Sequence, residues 1–524
     1  MHPVVGTRPS LPGREVPRVV GMSEATKDTA ATDSATGGAT KDRPEPRDVL
    51  VETTHTIGTT EGELTYTART GRIVIREEEV KDDVFQGWTP RGELAVTAYT
   101  LVDGEGEPDR SRPITFVFNG GPGSSSVWLH LGVLGPRIAD AGEPNDPTAP
   151  PYALHDNPQT LLRASDLVFI DPMSTGWSRA VEGGKAKDYH GWKKDVEQVT
   201  ELIRLWCTRE DRWMSPKFLA GESYGTTRAV SVAEHLFTNF GMQLNGLVLI
   251  SSVLDFGTQD FRFLRFDEAC LSYLPTYAAI AHYHGKHEGR ELAEVLGEAE
   301  ELAAGAYRWA LARGNRLTDD ERAEVAAQVA RLTGLSQDYV ERCDLRPEHW
   351  RFCTELLRDR GETVGRIDGR IRGVLHSGIA EGMDADPSID AIMGPYAAAI
   401  HHYLRAELRS ELDLPYAVFS DAIEHWSYKE FEGRPINVVD KLERVMRANP
   451  HLRVRFEYGY YDLATPYAAA EDTVAHLRLP DAALDRIEHA WFETGHMPYV
   501  GETSRVEEAE GITDFVRRAA TAGS

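Results

Sequence analysis

The chain reads as an α/β protein with a central, mostly parallel sheet and a large helical insertion. Three observations carry that reading. A short apolar run, Phe218-Leu219-Ala220, meets Gly221-Glu222-Ser223-Tyr224-Gly225 and then a helical stretch from Thr226 to Leu236. Other apolar runs of strand length, at 113–118, 245–252, 452–458 and 486–492, are each bounded by polar or glycine-containing loops. Between the runs at 245–252 and 452–458 the pattern turns helical, over about 256–430.

Taken in order, residues 1–48 are rich in Thr, Ala, Gly, Pro and charge and poor in apolar side chains. Such a segment cannot bury enough surface to offset chain entropy, so a disordered tail is expected there. Three β segments follow, Glu63 to Ala68, Gly71 to Arg76 and Gly92 to Tyr99, which suit antiparallel opening strands. Pro113 to Phe118 is a strand by composition, closed by Asn119-Gly120-Gly121-Pro122-Gly123. Asn245 to Ser252 is a buried strand after the helix that follows Ser223. In the helical block, Thr318-x-x-Glu321 is a capping box, and Val325, Val329 and Leu332 follow at i, i+4 and i+7. The expected organisation is a tail (1–48), the first part of a core (49–255), a helical cap over the site (256–430) and the second part of the core (431–524). Trp426 and the pair His401-His402 fall in the cap and read as packing and as a solvated helix face. No internal repeat is evident.

Strand, Gly-x-Ser-x-Gly, helix is the context of a nucleophile elbow. The chain must turn so sharply at Ser223 that residues two before and two after approach each other, and glycine has no Cβ to clash there. The turn exposes the hydroxyl and leaves backbone N–H groups at a helix N-terminus, where an oxyanion is stabilised. An ordinary strand-to-helix turn has the same residues, so the chemistry needs a histidine, a carboxylate and further N–H donors. Asn119 to Gly123, just past a strand, is an oxyanion loop by type, although a plain Gly-Pro turn has the same composition. Asp462 lies just beyond the run ending at Gly459, and His496 just beyond the run ending at Phe492. Both follow carboxyl ends of strands, where open α/β sheets place their sites. Most of the 18 histidines read as surface or capping residues. The order Ser223, Asp462, His496 is that of the α/β-hydrolase fold.

Asn119-Gly120-Gly121-Pro122-Gly123 with Ser124-Ser125 beyond it, Gly221 to Gly225 and Gly495-His496-Met497 together resemble the serine carboxypeptidases, the family of carboxypeptidase Y and cathepsin A. Leu167 to Pro172 with Gly176-Trp177-Ser178 resembles that family's next strand and loop. The resemblance spans roughly 90–254 and 434–500. It implies Ser223 as nucleophile, His496 as general base and acid, and Asp462 as the residue that orients the imidazole. It implies an oxyanion hole from the N–H groups of Gly121 and Tyr224. It also implies a site for the substrate's terminal carboxylate made by Asn119, the N–H of Gly120 and Glu222. A glutamate beside a bound carboxylate needs a shared proton, so like charge should raise the Glu222 pKa. Two positions depart from the eukaryotic members, pointing to a bacterial-type one: Ser124 stands where a cysteine is expected, and Val133 where a second glutamate is expected. The second departure removes a partner of the carboxylate-binding group. Esterase, acyltransferase or aminopeptidase chemistry on the same three residues is the alternative. Prolyl aminopeptidases typically read His-Gly-Gly-Pro-Gly and Gly-Gly-Ser-Trp-Gly, against which Asn119, Glu222 and Tyr224 argue. A silent binding module would normally have lost one of the three residues.

The formal net charge of −26 argues against nucleic acid and anionic membranes as partners, since both need clustered Lys and Arg. The expected partner is a peptide substrate. Cys207, Cys270, Cys343 and Cys353 read as free thiols with no metal-ligand spacing, and neither metal nor cofactor is expected. Residues 1–21 hold no apolar core of a signal peptide, no run reaches the ~18 apolar residues of a membrane span, and Met22 is a second possible start. A cytoplasmic location is expected on these grounds.

Overall fold

The computed structural model describes residues 45–261 and 267–521. The tail read at 1–48 therefore lies outside the described residues, apart from 45–48. Asp48 is tied down: its Oδ1 accepts from Val74 N at 2.9 Å and its Oδ2 pairs with Arg209 at 2.6 Å.

Alternating side chains make the first three strands and continuous apolar runs make the rest. β1 (Val49–Thr59), β2 (Gly62–Lys81) and β3 (Val84–Leu101) form an antiparallel meander. The separate runs expected at 63–68 and 71–76 are one strand, which passes through Gly71 at φ 152°. A Cβ on Gly71 would lie 1.9 Å from Val49 O, so glycine lets the neighbouring strand approach. β4 (Ile114–Phe118), β5 (Asp166–Asp171), β6 (Lys217–Glu222), β7 (Gly246–Ile250), β8 (Arg453–Gly459) and β9 (Ile487–Phe492) follow in sequence. Across the sheet the order is β1-β2-β3-β5-β4-β6-β7-β8-β9, parallel from β5 to β9. β4 to β7 are buried throughout, as strands covered on both faces must be.

Flanking the sheet or inserted in it are α1 (Trp192–Arg209), α2 (Tyr224–Phe240), α3 (Glu268–Tyr283), α4 (Asp319–Thr333), α5 (Pro387–His402), α6 (Val439–Ala448) and α7 (Glu502–Thr521). The two faces of the strands feed two cores. Phe116, Leu219, Leu247 and Leu249 pack with α1, α2 and α6, whereas Val117, Phe218, Val248 and Ile250 pack with α7.

The insertion between β7 and β8 carries α3, α4 and α5. The capping box of α4 is formed, and Val325, Val329 and Leu332 are buried. Helix does not continue to 430 as the pattern suggests. After a π-helical turn at Tyr403–Glu407 the chain runs without regular structure to 438, apart from one three-residue turn at Lys429–Phe431. Pro415, Gly433 and Pro435 break the segment, and it has no 3.6-residue apolar period. It crosses the site end of the sheet as a strap. Ser125 N donates to Val418 O (2.9 Å), Gly176 N to Ala417 O (2.8 Å), Ser427 N to His190 O (2.9 Å) and Phe256 N to Ile436 O (2.9 Å). His401 and His402 are exposed at the end of α5, whereas Trp426 lies edge-on to Tyr224 at 5.4 Å.

Candidate active site

The parallel strands end in register, and the loops after β4, β6, β7, β8 and β9 meet at one edge. Gly221 on β6 stands opposite Phe118 on β4 and Leu249 on β7, while Ile250 stands opposite Glu457 on β8. Ser223, between β6 and α2, sits at φ 61°, ψ −131°. A serine reaches that region at a cost of about 1–3 kcal/mol, held there by its surroundings. A Cβ on Gly221 would lie 2.3 Å from Gly225 O, which is the close approach the sequence pattern requires. Ser223 N donates to Ile250 O at 2.9 Å, and Ser223 O accepts from Thr226 N at 2.8 Å and Thr226 Oγ1 at 2.7 Å. The serine is partly exposed amid buried neighbours.

The glycine loop lies against this turn. A Cβ on Gly120 would come within 2.6 Å of Tyr224 N and 2.9 Å of Ser223 Cβ. Gly121 and Gly123 hold φ of 103° and 109°, open to glycine alone at little cost. Gly121, Ser223 and Tyr224 all line a cavity of about 810 Å³. Its walls come from the insertion and strap, with Phe256, Phe261, Tyr273, Trp350 and Ile436 supplying apolar surface and Arg366 a cation.

Asp462 and His496 meet where the sequence order suggests. His496 Nδ1 lies 2.7 Å from Asp462 Oδ2; Asp462 is wholly buried and His496 nearly so. Asp462 Oδ1 accepts from Ala464 N (2.7 Å) and Thr465 N (2.9 Å). Thr465 Oγ1 stands 2.7 Å from Asp462 Oδ2 and 3.1 Å from His496 Nδ1. Burial on its own lowers the His496 pKa, but the charge and hydrogen bond of Asp462, with Glu222 nearby, outweigh burial and the opposing Arg366, and hold it raised. With Nδ1 turned to Asp462, Nε2 is the nitrogen left for a proton from elsewhere.

Glu222 is 4% exposed. Asn119 Nδ2 donates to its Oε1 at 2.9 Å and Tyr499 donates its hydroxyl to Oε2. Its pKa is raised to about 7. Without any bound carboxylate, burial is the largest contribution and like charge from Asp462 a minor one, while His496, Tyr499 and Asn119 pull downward.

Residues 95–266 match the model of the serine carboxypeptidase family. That match holds Asn119, Gly120, Gly121, Glu222, Ser223 and Tyr224 and stops before Asp462 and His496. Serine carboxypeptidase-like 44 and serine carboxypeptidase-like 41 of Arabidopsis thaliana are each 33% identical over 129 residues, 24% of this chain and 25% of the relative. The chain thus spans about a quarter of the length of the curated relatives it matches. Among solved structures it resembles a prohormone-processing carboxypeptidase from Saccharomyces cerevisiae, with a TM-score of 0.50 and 16% identity over 87% of this chain and 91% of that one. The fold is that of the α/β hydrolases.

Against that carboxypeptidase pattern, several contributors were not foreseen from the sequence. Tyr499 is one, three residues past the histidine. Its ring fills the space beside Gly132, where a Cβ would lie 2.5 Å from it, next to buried Val133. It therefore partners Glu222 although no second acid is present at 133. Arg228 is another. Wholly buried on α2, it pairs with Asp195 at 2.7 Å, donates to Asn119 O at 2.5 Å and lies over the rings of Phe118 and Tyr224. Helical periodicity hides it, since an arginine in a helix reads as solvated. The insertion also reaches the histidine: His496 N donates to Ile367 O at 2.7 Å, and a Cβ on Gly495 would lie 2.5 Å from Ile367 O.

Proposed function

We propose that the chain is a serine-type carboxypeptidase that hydrolyses C-terminal peptide bonds through Ser223, His496 and Asp462 and an acyl-enzyme. Glu222 carries this reading: a buried carboxyl, raised to about 7, adjoins the nucleophile with Asn119 beside it. A group that is protonated at neutral to mildly acidic pH can donate to a carboxylate instead of repelling it.

In this mechanism Ser223 Oγ attacks the scissile carbonyl carbon while His496 Nε2 accepts its proton. The carbonyl electrons move to oxygen, which the N–H groups of Gly121 and Tyr224 hold. Asp462 keeps the imidazole oriented and stabilises it when charged. The C–N bond then breaks, His496 returns the proton to the departing amine, and the acyl group remains on Ser223. Water, losing a proton to His496, attacks the ester and regenerates the serine. Asn119, the N–H of Gly120 and protonated Glu222 bind the substrate's terminal carboxylate and bring the last peptide bond to Ser223. The partner is a peptide, and the reaction runs on side chains and backbone without metal or cofactor. The four cysteines stand unpaired, which suits the reducing cytoplasm.

Blocked dipeptides with free and amidated C-termini test the reading. Amidation removes charge-assisted hydrogen bonds of about 1.5–3 kcal/mol, so kcat/KM should fall about ten- to hundredfold. Equal values from pH 4.5 to 8 would sink the carboxypeptidase reading and favour an esterase, acyltransferase or aminopeptidase on the same residues.

A further inference from the structure

We propose that a second cleft, apart from the catalytic cavity, binds a small phosphorylated anion. The cleft has a volume of about 730 Å³ and shares no lining residue with the cavity at Ser223. Of the chain's 57 basic residues only 11 are lysines, and five of those 11 line this cleft: Lys185, Lys187, Lys193, Lys194 and Lys429. Arg91 is a sixth cation, set against four carboxylates, Glu77, Asp188, Glu197 and Glu430. Lys194 is spent between Glu77 (2.8 Å) and Glu197 (3.0 Å), Arg91 stands 3.7 Å from Glu77, and Lys193 stands 3.8 Å from Glu197. Lys185, Lys187 and Lys429 make no ion pair among the described residues. A local excess of two positive charges, in a chain of net charge −26, marks one place where an anion is drawn in and not repelled.

The walls are built from pinned backbone. Arg91 Nη1 donates to Gly183 O at 2.8 Å, and Gly184 packs so closely that a Cβ would lie 1.9 Å from Arg91 O. On the far side Trp192 N donates to Ser427 O at 3.0 Å. Two polar groups make no hydrogen bond: Tyr189, only 4% exposed, lines the cleft with its hydroxyl unpartnered, and the buried Arg91 Nε has only the Glu77 carboxylate at 3.7 Å. Lysines act as point charges for phosphate, and the volume is that of a small-molecule site. The strap links this cleft to the catalytic cavity. Ser427 and Lys429 line the cleft, while the residues alternating with them, Trp426 and Tyr428, pack edge-on against Tyr224 at 5.4 and 6.5 Å.

The test is calorimetric titration of the full chain with inorganic pyrophosphate. Saturable one-to-one binding is expected, weakened at least about tenfold in the Lys185→Glu, Lys429→Glu double variant and kept in the Lys185→Arg, Lys429→Arg variant. Circular dichroism verifies that each variant is folded. Absence of saturable binding, or equal binding by the wild type and the glutamate variant, would overturn the site. A parallel sedimentation arm uses vesicles carrying phosphatidate. Capture by those vesicles without pyrophosphate binding would likewise overturn a small soluble occupant.

Discussion

Ser223 and its neighbours set the residue-scale expectations. Ser223→Ala and His496→Ala should each lower kcat by about 10⁴-fold or more, and the double variant should lose little beyond either, because such residues act as a unit. A fluorophosphonate should label Ser223; label persisting in Ser223→Ala would place the nucleophile elsewhere. Glu222 gives a pH signature. With its pKa raised to about 7, the protonated form is present below that pH and is lost as pH rises through it, so KM for free-acid peptides should climb above about 7. Glu222→Gln should flatten that climb at nearly unchanged kcat. Tyr499 donates to Glu222 and so favours the ionised form. Tyr499→Phe should therefore move the climb to higher pH, a shift that mere loss of packing would not produce. A KM profile unmoved in both variants would remove Glu222 from substrate binding.

At the scale of elements, the Arg228–Asp195 pair joins α1 and α2 to the glycine loop and to Tyr224. Breaking a buried pair leaves one charge unmatched and costs about 3–5 kcal/mol. Arg228→Ala should lower the melting temperature by several degrees and cut kcat, because Asn119 O loses its donor. A melting temperature within one degree of wild type would show the pair to be structurally idle. The elements that were legible in the sequence are those with a local signal. β4 and β6 to β9 announce themselves as short apolar runs, and the elbow glycines sit where a Cβ would collide with backbone. Thr318 and Glu321 form the capping box that their spacing describes. What stayed hidden depends on distant partners. The strap has no period because each of its residues answers to a different loop. Tyr499 shows nothing in sequence, since its partner lies 277 residues away. The burial that raises Glu222 is hidden for the same reason, because it is a property of the assembled site.

Across the whole molecule, buried histidines and buried carboxyls push stability in opposite directions as pH falls. His130 is buried against Phe169 with its ring bonded to Tyr99, and burial pushes its pKa down to about 3; His349 is likewise pushed to about 3. Between about 3 and 6.5 the unfolded chain binds protons that the folded one refuses, so this contribution is full above 6.5 and is lost as pH falls. Buried Glu222 and partly buried Glu471, both raised to about 7, gain stability over the same range, so the sign is fixed for the difference between two proteins. On acidification from 6.5 the melting temperature of His130→Gln should fall less, or rise more, than that of the wild type. Parallel slopes for the two proteins would show that His130 is protonated without cost.

The strap has a bearing on how the chain reaches this state. Its residues at 417, 418, 427 and 436 bond to backbone at 176, 125, 190 and 256, so every one of these bonds closes a loop of well over a hundred residues. Such contacts form late, after the entropy of long-range closure has been met, and slow the search. Helices, whose bonds are local, can form without them, but the roof of the cavity cannot. On refolding from denaturant, far-ultraviolet circular dichroism should recover first, and competence to react with a fluorophosphonate should lag behind it, so that the chain passes through a period of being folded but inert.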